Sequence, residues 1–471
     1  MARLLLSAGA SPGSSLLLQA ASCPGWLWVY LACLRVGIVV VPVSADYGGE
    51  ELRHFLADAQ PALAVADQPR RKAMSEAAQG LPVGLQVLED LVAAAESASE
   101  AGPLPPSPAD GALATLLYSS GTTGRPKGAQ LTHANLAANA RTLVAAWGFT
   151  PADRLLHTLP LHHAHGLFVA VGTALLAGST ILLRPRFDAA DVLDQLPRCT
   201  VFMGVPTHYG RLLDQPALGR DTCRGVRLFV SGSAPLAAAV HARFEARTGH
   251  RILERYGMTE TLMLTSNPLA GERRPGTVGQ PLRGVEVRIG DGTGATVAPG
   301  TAGEIEVRGP SVTAGYWRQP GQSAAARTAD GWFRTGDLGT FSPDGYLTIV
   351  GRSKDLVITG GLNVYPREVE AVLDALPGVA EAAVIGVPHP DFGEAVVAVV
   401  VPTADHHPDA QALLATTRRQ LAGYKVPKQV FFVPALPRNA LGKVRKAELR
   451  ERFGTTFAGG PPPTATASKP A

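Results

Sequence analysis

The sequence predicts an α/β protein. It should have a large N-terminal domain of α/β subdomains with a β-barrel-like subdomain, then a small α+β C-terminal domain. Three observations carry this. Short apolar runs alternate with helix-patterned runs from residue 27 to about 254, the rhythm of parallel sheets covered by helices. Near residue 276 Gly and Pro become frequent and the strands alternate, as in antiparallel sheet. After Gly351-Arg-Ser-Lys-Asp the pattern changes again, to short strands with two helices, a compact unit of about 100 residues. At 471 residues the chain is long enough for two or three cores.

The elements follow in order. Trp26 to Val43 is the one membrane-like stretch, but Arg35 and Gly37 interrupt it and Pro42 closes it. A helix of about twelve residues and then a buried strand from Val36 to Val43 explain it better than a spanning helix. Glu50–Ala59 has a helical pattern and Ala62–Ala66 reads as a strand. A Pro/Ala/Gly-rich connector, Ala101–Gly111, leads to the apolar run Leu113–Tyr118, and a helix pattern covers His133–Trp147. Strands are expected at Leu155–Leu159, Thr180–Leu183, Val201–Val205, Val226–Val230 and His250–Glu254, with a helix at Gly166–Leu176. The alternating strands are Val285–Ile289, Gly303–Val307 and Tyr346–Val350. The last unit has strands at Ala382–Ile385, Ala395–Val401 and Val430–Val433, and helices at Arg367–Ala375 and Gln411–Leu421. The domains are thus expected at 1–350 and 356–453, joined by 351–355. The Gly/Pro/Thr/Ala-rich residues 454–471 are expected to form a disordered tail.

Composition narrows the function class. A net charge of +4, from 43 Lys and Arg against 39 Asp and Glu, is too balanced to argue for nucleic-acid binding. The four cysteines form no C-x-x-C pair and have no zinc-ligand spacing, so reduced structural thiols in a reducing compartment are expected. Met1 to Leu6 makes a poor signal peptide, and a mitochondrial leader would be richer in Arg. The cytoplasm is the expected compartment, with the mitochondrion left open.

The chemistry begins at Ser119-Ser-Gly-Thr-Thr-Gly-Arg-Pro-Lys-Gly. Seven of its ten positions are Ser, Thr or Gly, and Lys127 supplies a positive charge. Backbone N–H groups can approach a polyanion closely where no Cβ intervenes, and hydroxyls add donors. A nucleoside triphosphate is the natural guest. The loop is not a P-loop, because Lys127 lies between Pro126 and Gly128 and no Ser or Thr follows it to hold Mg²⁺. A flexible linker has the same composition, but the strand-like and helical flanks argue against one.

Four further motifs follow: Tyr256-Gly-Met-Thr-Glu, Arg334-Thr-Gly-Asp-Leu, Gly351-Arg-Ser-Lys-Asp with Thr359-Gly-Gly-Leu-Asn-Val-Tyr-Pro, and Pro437-Arg-Asn-Ala-Leu-Gly-Lys-Val-Arg-Lys. Singly each has an ordinary explanation, such as a surface ion pair or an Asx-turn. In this order and spacing, over residues 20 to 453, they resemble the adenylate-forming superfamily of acyl-CoA synthetases, peptide-synthetase adenylation domains and firefly-type luciferases.

That resemblance implies ATP and CoA as co-substrates and Mg²⁺ as cofactor. It implies that the loop, with Ser119, Ser120, Gly121, Thr122, Thr123, Gly124 and Lys127, grips the β- and γ-phosphates. Many relatives open this loop with Thr, and Ser119 keeps the hydroxyl. Gly232, Ser233, Ala234 and Pro235 would line the adenine pocket, with Tyr256 against the base and Gly257 and Met258 beside it. Thr259 would meet the α-phosphate and Glu260 would coordinate Mg²⁺. Asp337 and Arg352 would hold the ribose. Lys354 would be the hinge of a mobile small domain, Lys443 the catalytic lysine, and Gly360 and Gly361 part of the CoA tunnel. Relatives carry several dozen more residues before the stretch matching Ser15 to Val43, so the first subdomain is expected to be shortened. A monomer or weak homodimer is expected.

The acid is the remaining question, and fold likeness does not choose it. Arg255 precedes Tyr256, and Arg211 lies about one helical turn past Val205-Pro-Thr-His-Tyr. An unpaired guanidinium in a greasy acyl tunnel is costly, whereas a second carboxylate on the substrate would satisfy it. Arg255 pairing with Glu254, and Arg211 as a solvated helix residue, are the plainer alternatives. Leu159-Pro-Leu-His-His-Ala-His-Gly-Leu-Phe, Met203-Gly-Val-Pro-Thr and Val230-Ser-Gly-Ser-Ala-Pro-Leu resemble malonyl-CoA synthetases. The resemblance implies malonate, with methylmalonate as a variant, its distal carboxylate held by Arg211, Arg255, Ser233 and His165. The alternatives are a short- or medium-chain fatty acyl-CoA synthetase, or a binding protein that has lost catalysis. His162, His163 and His165 have no carboxylate or Cys beside them, so a metal site there is not expected.

Overall fold

A computed structural model describes residues 1–98, 103–119, 126–404, 408–438 and 443–457. The first sheet has the strand order Gly84–Val87, Leu63–Ala66, Ser15–Gln19, Val39–Pro42, Leu113–Ser119, Lys127–Thr132. All neighbours are parallel except the last pair. Its central strands are apolar at successive positions (Leu16 to Leu18, Val39 to Val41) because helices cover both faces. The helix Pro24–Val36 and strand Val39–Pro42 account for the membrane-like stretch. No helix among the described residues is long and apolar enough to cross a membrane.

The second sheet runs Gln280–Pro281, Leu262–Ser266, Leu253–Met258, Leu228–Ser231, Val201–Gly204, Arg154–His157, Thr180–Leu183. Its last five strands are parallel, and the first two pair antiparallel. The two sheets are joined by the helix His133–Trp147. It starts at a capping box in which the Thr132 hydroxyl accepts from the Asn135 N–H (3.2 Å) while Asn135 Oδ1 accepts from the Thr132 N–H (2.9 Å). Such a cap contributes about 1 kcal/mol. Asn135 Nδ2 also donates to the Pro310 carbonyl, so the same residue ties the helix to the chain leading into Tyr316.

The third sheet is an antiparallel meander of Glu286–Gly290, Gly303–Arg308, Phe333–Phe341 and Leu347–Arg352. Its inner face of Ile289, Ile305, Val307, Phe333 and Leu347 packs on Tyr256 and Leu264. The turn Ser353–Asp355 leads to a fourth sheet, built round the long hairpin Val379–His389 and Gly393–Pro402. Val357–Thr359 and Gln429–Phe432 both pair with its second strand, Gly393–Pro402, and the helices Pro366–Asp374 and Ala410–Gln420 bury Val369, Leu373 and Leu413 against the sheet.

Three elements differ from the sequence expectation. The strand expected at His250–Glu254 starts at Leu253 and runs on to Met258, because the left-handed Gly249 (φ 80°) ends the preceding helix and residues 250–252 are spent on the connection. The expected helix Gly166–Leu176 opens with a wide π-turn over His165–Val171. Lys127–Thr132 is a strand, though its Gly, Gln and Thr gave no alternation to announce one. Of the expected tail, residues 458–471 lie outside the described residues.

Candidate active site

The carboxyl ends of the second sheet's parallel strands converge on one buried cluster. Arg255 is 3% exposed. Its Nε and Nη2 have no hydrogen-bond partner among the described residues. Burial brings the guanidinium down to about 9, in a group that ordinarily stays protonated throughout. Gly232 on the adjacent strand end makes room for it: a Cβ there would lie 2.4 Å from Arg255 Cζ. Ser233 adopts a left-handed φ of 69°, which directs its hydroxyl to His165 Nδ1 at 3.2 Å. A non-glycine residue held there carries strain of the kind found at functional sites. Burial, helped by Arg255, holds His165 well below its ordinary value, so it is neutral at pH 7. Two further histidines, the buried His157 and the half-buried His208, which the sequence did not single out, stand close by. His157 is brought to about 4 and His208 to about 3, both by burial. His208 stacks on Phe187 at 3.8 Å. Arg211 does not join this cluster. It is exposed in the last turn of Pro206–Leu213, near His208. Arg255 does not pair with Glu254, because side chains alternate along a strand. Glu254 points the other way, accepts the Gly276 N–H, and is pushed up to about 7 by burial.

A second group sits on the facing hairpin. Thr259 and Glu260 occupy the turn between Leu253–Met258 and Leu262–Ser266. The turn is tight. A Cβ on Gly257 would lie 1.9 Å from the Leu262 carbonyl oxygen, and Leu262 itself has φ 54°. Since a backbone atom is struck, Gly257→Ala should cost several kcal/mol. Thermal melting checks this: a variant melting within about 2 °C of the parent would refute the backbone clash. Glu260, 5% exposed, accepts from the Ser119 hydroxyl at 2.8 Å and from the Tyr316 hydroxyl at 3.2 Å, both at Oε1. Lys127 Nζ lies 5.4 Å from the centroid of the Tyr316 ring. The loop residues Ser120, Gly121, Thr122, Thr123 and Gly124 lie outside the described residues.

The third group faces both. Asp337 accepts from the Tyr256 hydroxyl at 2.6 Å and pairs with Arg352 Nε at 2.9 Å, across the register of neighbouring strands. Asp337 raises the Arg352 guanidinium, which burial alone would lower. The Tyr256 ring is 7% exposed and packs in the meander's core, so holding Asp337 is the contact it makes here. Lys443 reaches the same place from the C-terminal unit. Its charge is felt with Arg352, Asp337, Glu260 and Arg255, and burial brings it down to about 8. Met258 is half-buried beside Gly257, while Ala234 and Pro235 follow Ser233 in the loop, the last exposed. Lys354 sits in the turn Ser353–Asp355, lowered by burial and then by Arg352. Gly360 and Gly361 (φ 58° and 80°) form the exposed tip of the hairpin Val357–Val364, and no hydrogen bond among the described residues links them to the buried groups.

Residues 1–317 match the AMP-binding enzyme family, and residues 368–443 match its C-terminal domain. The chain belongs to that adenylate-forming family. The ATP-bound MatB enzyme of Rhodopseudomonas palustris superposes with a TM-score of 0.93 at 47% identity, over 97% of this chain and 92% of that one. The mouse mitochondrial malonate–CoA ligase is 41% identical over 454 residues, 88% of this chain and 78% of its own. A feruloyl-CoA synthase of Amycolatopsis is 37% identical over 458 residues, 96% of this chain and 92% of its own. Family membership makes the chain an acyl-CoA ligase of the α/β adenylate-forming fold, using ATP and CoA.

The family implies a magnesium ion, and the residues suit one. Glu260 is a buried carboxylate whose Oε1 is engaged by two hydroxyls. Among the described residues no group of three or more His, Cys, Asp or Glu side chains is gathered there. One carboxylate with substrate phosphates is the usual way Mg²⁺ is held in nucleotide enzymes.

Proposed function

We propose that the chain ligates malonate, with methylmalonate as a tolerated variant, to CoA through a malonyl-adenylate, releasing AMP and pyrophosphate. The observation that carries this is Arg255, buried with two unpartnered donors between Gly232, Ser233 and His165. A buried cation without a partner is stable only at a cost, and a second carboxylate on the substrate supplies its partner. The ferulate-activating relative has no need of such a partner, because its acid carries a phenol at the far end.

In this reading Lys127, Ser119 and the rest of the loop hold the β- and γ-phosphates. Thr259 meets the α-phosphate, and Glu260 holds Mg²⁺, which would draw charge from the phosphates. Gly232 to Pro235 line the adenine, and Asp337 and Arg352 take the ribose hydroxyls. Lys443 stabilises the charge that builds on the α-phosphate oxygens as the carboxylate attacks. Residues 1–350 and 356–453 move as two units about Lys354, and a second arrangement brings Gly360 and Gly361 to a CoA tunnel.

A panel of malonate, methylmalonate, acetate, octanoate and ferulate, read by pyrophosphate release, tests the acid. A site built around a hydrogen-bonded group should reject analogues lacking it by on the order of 10³-fold or more in kcat/KM. Acetate, octanoate or ferulate turning over as well as malonate would refute the reading.

A further inference from the structure

We propose that Tyr316 is a positioning residue that sets the distance between the phosphate-gripping Lys127 and the Mg²⁺-holding Glu260. The proposal rests on the roles given above to those two residues. Tyr316 lies in Ser311-Val-Thr-Ala-Gly-Tyr-Trp, a stretch to which neither the motifs nor their chemistry assigned a function. It touches both groups at once. Its hydroxyl donates to Glu260 Oε1 at 3.2 Å, and its ring faces Lys127 Nζ at 5.4 Å. Burial, then Glu260, pushes the phenol up, so it remains a donor throughout the working pH range.

The backbone fixes the ring in this place. Tyr316 bridges antiparallel to Ala129, two residues beyond Lys127. Around it the Trp317 N–H donates to the Gly128 carbonyl (2.8 Å), the Gln130 N–H to the Gly315 carbonyl (3.0 Å), and the Thr313 hydroxyl to the Gln130 carbonyl (2.7 Å). The Thr313 N–H donates to the carbonyl of Glu260 itself at 2.7 Å. Trp317 Nε1 reaches the Asp58 carbonyl at 3.2 Å, and Tyr118, at the start of the loop, also bonds Asp58. The segment 313–317 is therefore stitched to the strand that carries Lys127 and to the turn that carries Glu260, and Tyr316 alone extends a side chain to both. Ser119 donates to the same Oε1 at 2.8 Å, so two hydroxyls hold one oxygen of Glu260. Partners that orient a metal ligand typically govern its affinity by 10- to 100-fold.

The test compares Tyr316→Phe, which keeps the ring and the backbone pairing and deletes the hydroxyl, with Glu260→Gln. Direct binding is read with Mn²⁺ by electron paramagnetic resonance in the presence of the β,γ-imido analogue of ATP, and adenylation is read as a function of Mg²⁺ concentration. Tyr316→Phe is expected to weaken Mn²⁺ binding about 10-fold. Excess Mg²⁺ should recover most of the lost rate, and KM for malonate should not move. A general folding defect would not be rescued by the ion, and melting temperature separates it further. Mn²⁺ binding unchanged or tightened in Tyr316→Phe, with Glu260→Gln weakening it, would overturn the positioning role alone. Glu260→Gln leaving Mn²⁺ binding intact would overturn the assignment of Glu260, and the positioning role with it.

Discussion

Replacing Arg255 with Met is expected to lower kcat/KM for malonate by about 10²- to 10³-fold, chiefly through KM, while ATP binding is largely spared. The magnitude follows from loss of one partner of a buried, hydrogen-bonded charge pair, which costs about 2–5 kcal/mol. The same substitution carries a second and opposite expectation. In the ligand-free protein the guanidinium is 3% exposed and its Nε and Nη2 have no partner. An apolar side chain of similar length removes that desolvation penalty, and such replacements of buried charge are often neutral or stabilising by 1–4 kcal/mol. Arg255→Met should therefore melt at or above the parent's temperature without substrate. It should also lose the extra stabilisation that malonate gives the parent, since a ligand stabilises a fold only through its affinity. Steady-state kinetics with malonate and acetate, and melting curves with and without malonate, measure all of this. Unchanged malonate kinetics would remove the carboxylate clamp. A large fall in melting temperature of the free protein would mean that Arg255 is structural, and the kinetic loss would then say nothing about the acid.

Much of the fold was legible because its signals are local. The covered parallel strands are continuous apolar runs, and the helices His133–Trp147 and Gly49–Ala59 follow from periodicity. Lys127–Thr132 escaped notice because its Gly, Gln and Thr show no apolar alternation, although it pairs with the neighbouring strand Leu113–Ser119 and bridges at Ala129 to Tyr316 far along the chain. The site was legible to different depths. Asp337, Arg352 and Lys443 each follow a glycine and Glu260 closes Tyr256-Gly-Met-Thr-Glu, in an order that the resemblance could interpret. Arg255 was visible as a charge directly before the Tyr256 motif. Arg211 shared that charge but not the position, and helical spacing alone could not tell a face turned to the pocket from one turned to solvent. His157 and His208 looked like ordinary residues at strand and helix ends, and only the fold buries His157 and stacks His208 on Phe187. Tyr316 gave the faintest signal, an aromatic pair after a glycine. Its partners are 56 positions away at Glu260 and far further at Lys127, so only the fold brings them together.

Replacing Lys443 with Ala is expected to slow adenylation by on the order of 10³-fold, and to leave thioester formation from supplied malonyl-adenylate within a few-fold of the parent. The first figure is the usual loss when one preorganised donor to developing charge is removed. The second follows because the charge that Lys443 neutralises on the α-phosphate arises only in the first half-reaction. Its pH dependence gives an independent check. Burial, then Arg352, lowers the ammonium to about 8, with Asp337 and Glu260 pulling the other way. A lowered value on a cationic acid means that the charged form is complete well below pH 8 and is lost as pH rises through it. The adenylation kcat/KM for ATP, which reports the free enzyme, should thus fall towards tenfold per unit above about pH 8. In kcat the fall should come later, because bound phosphates favour the ammonium. Lys443→Arg keeps its charge at every working pH and should flatten that alkaline limb, though its planar fork will not restore the full rate. Pyrophosphate exchange against pH, for the parent and both variants, decides the matter. Equal loss of both half-reactions in Lys443→Ala, or an alkaline limb that persists in Lys443→Arg, would place the titrating group and the catalytic charge elsewhere.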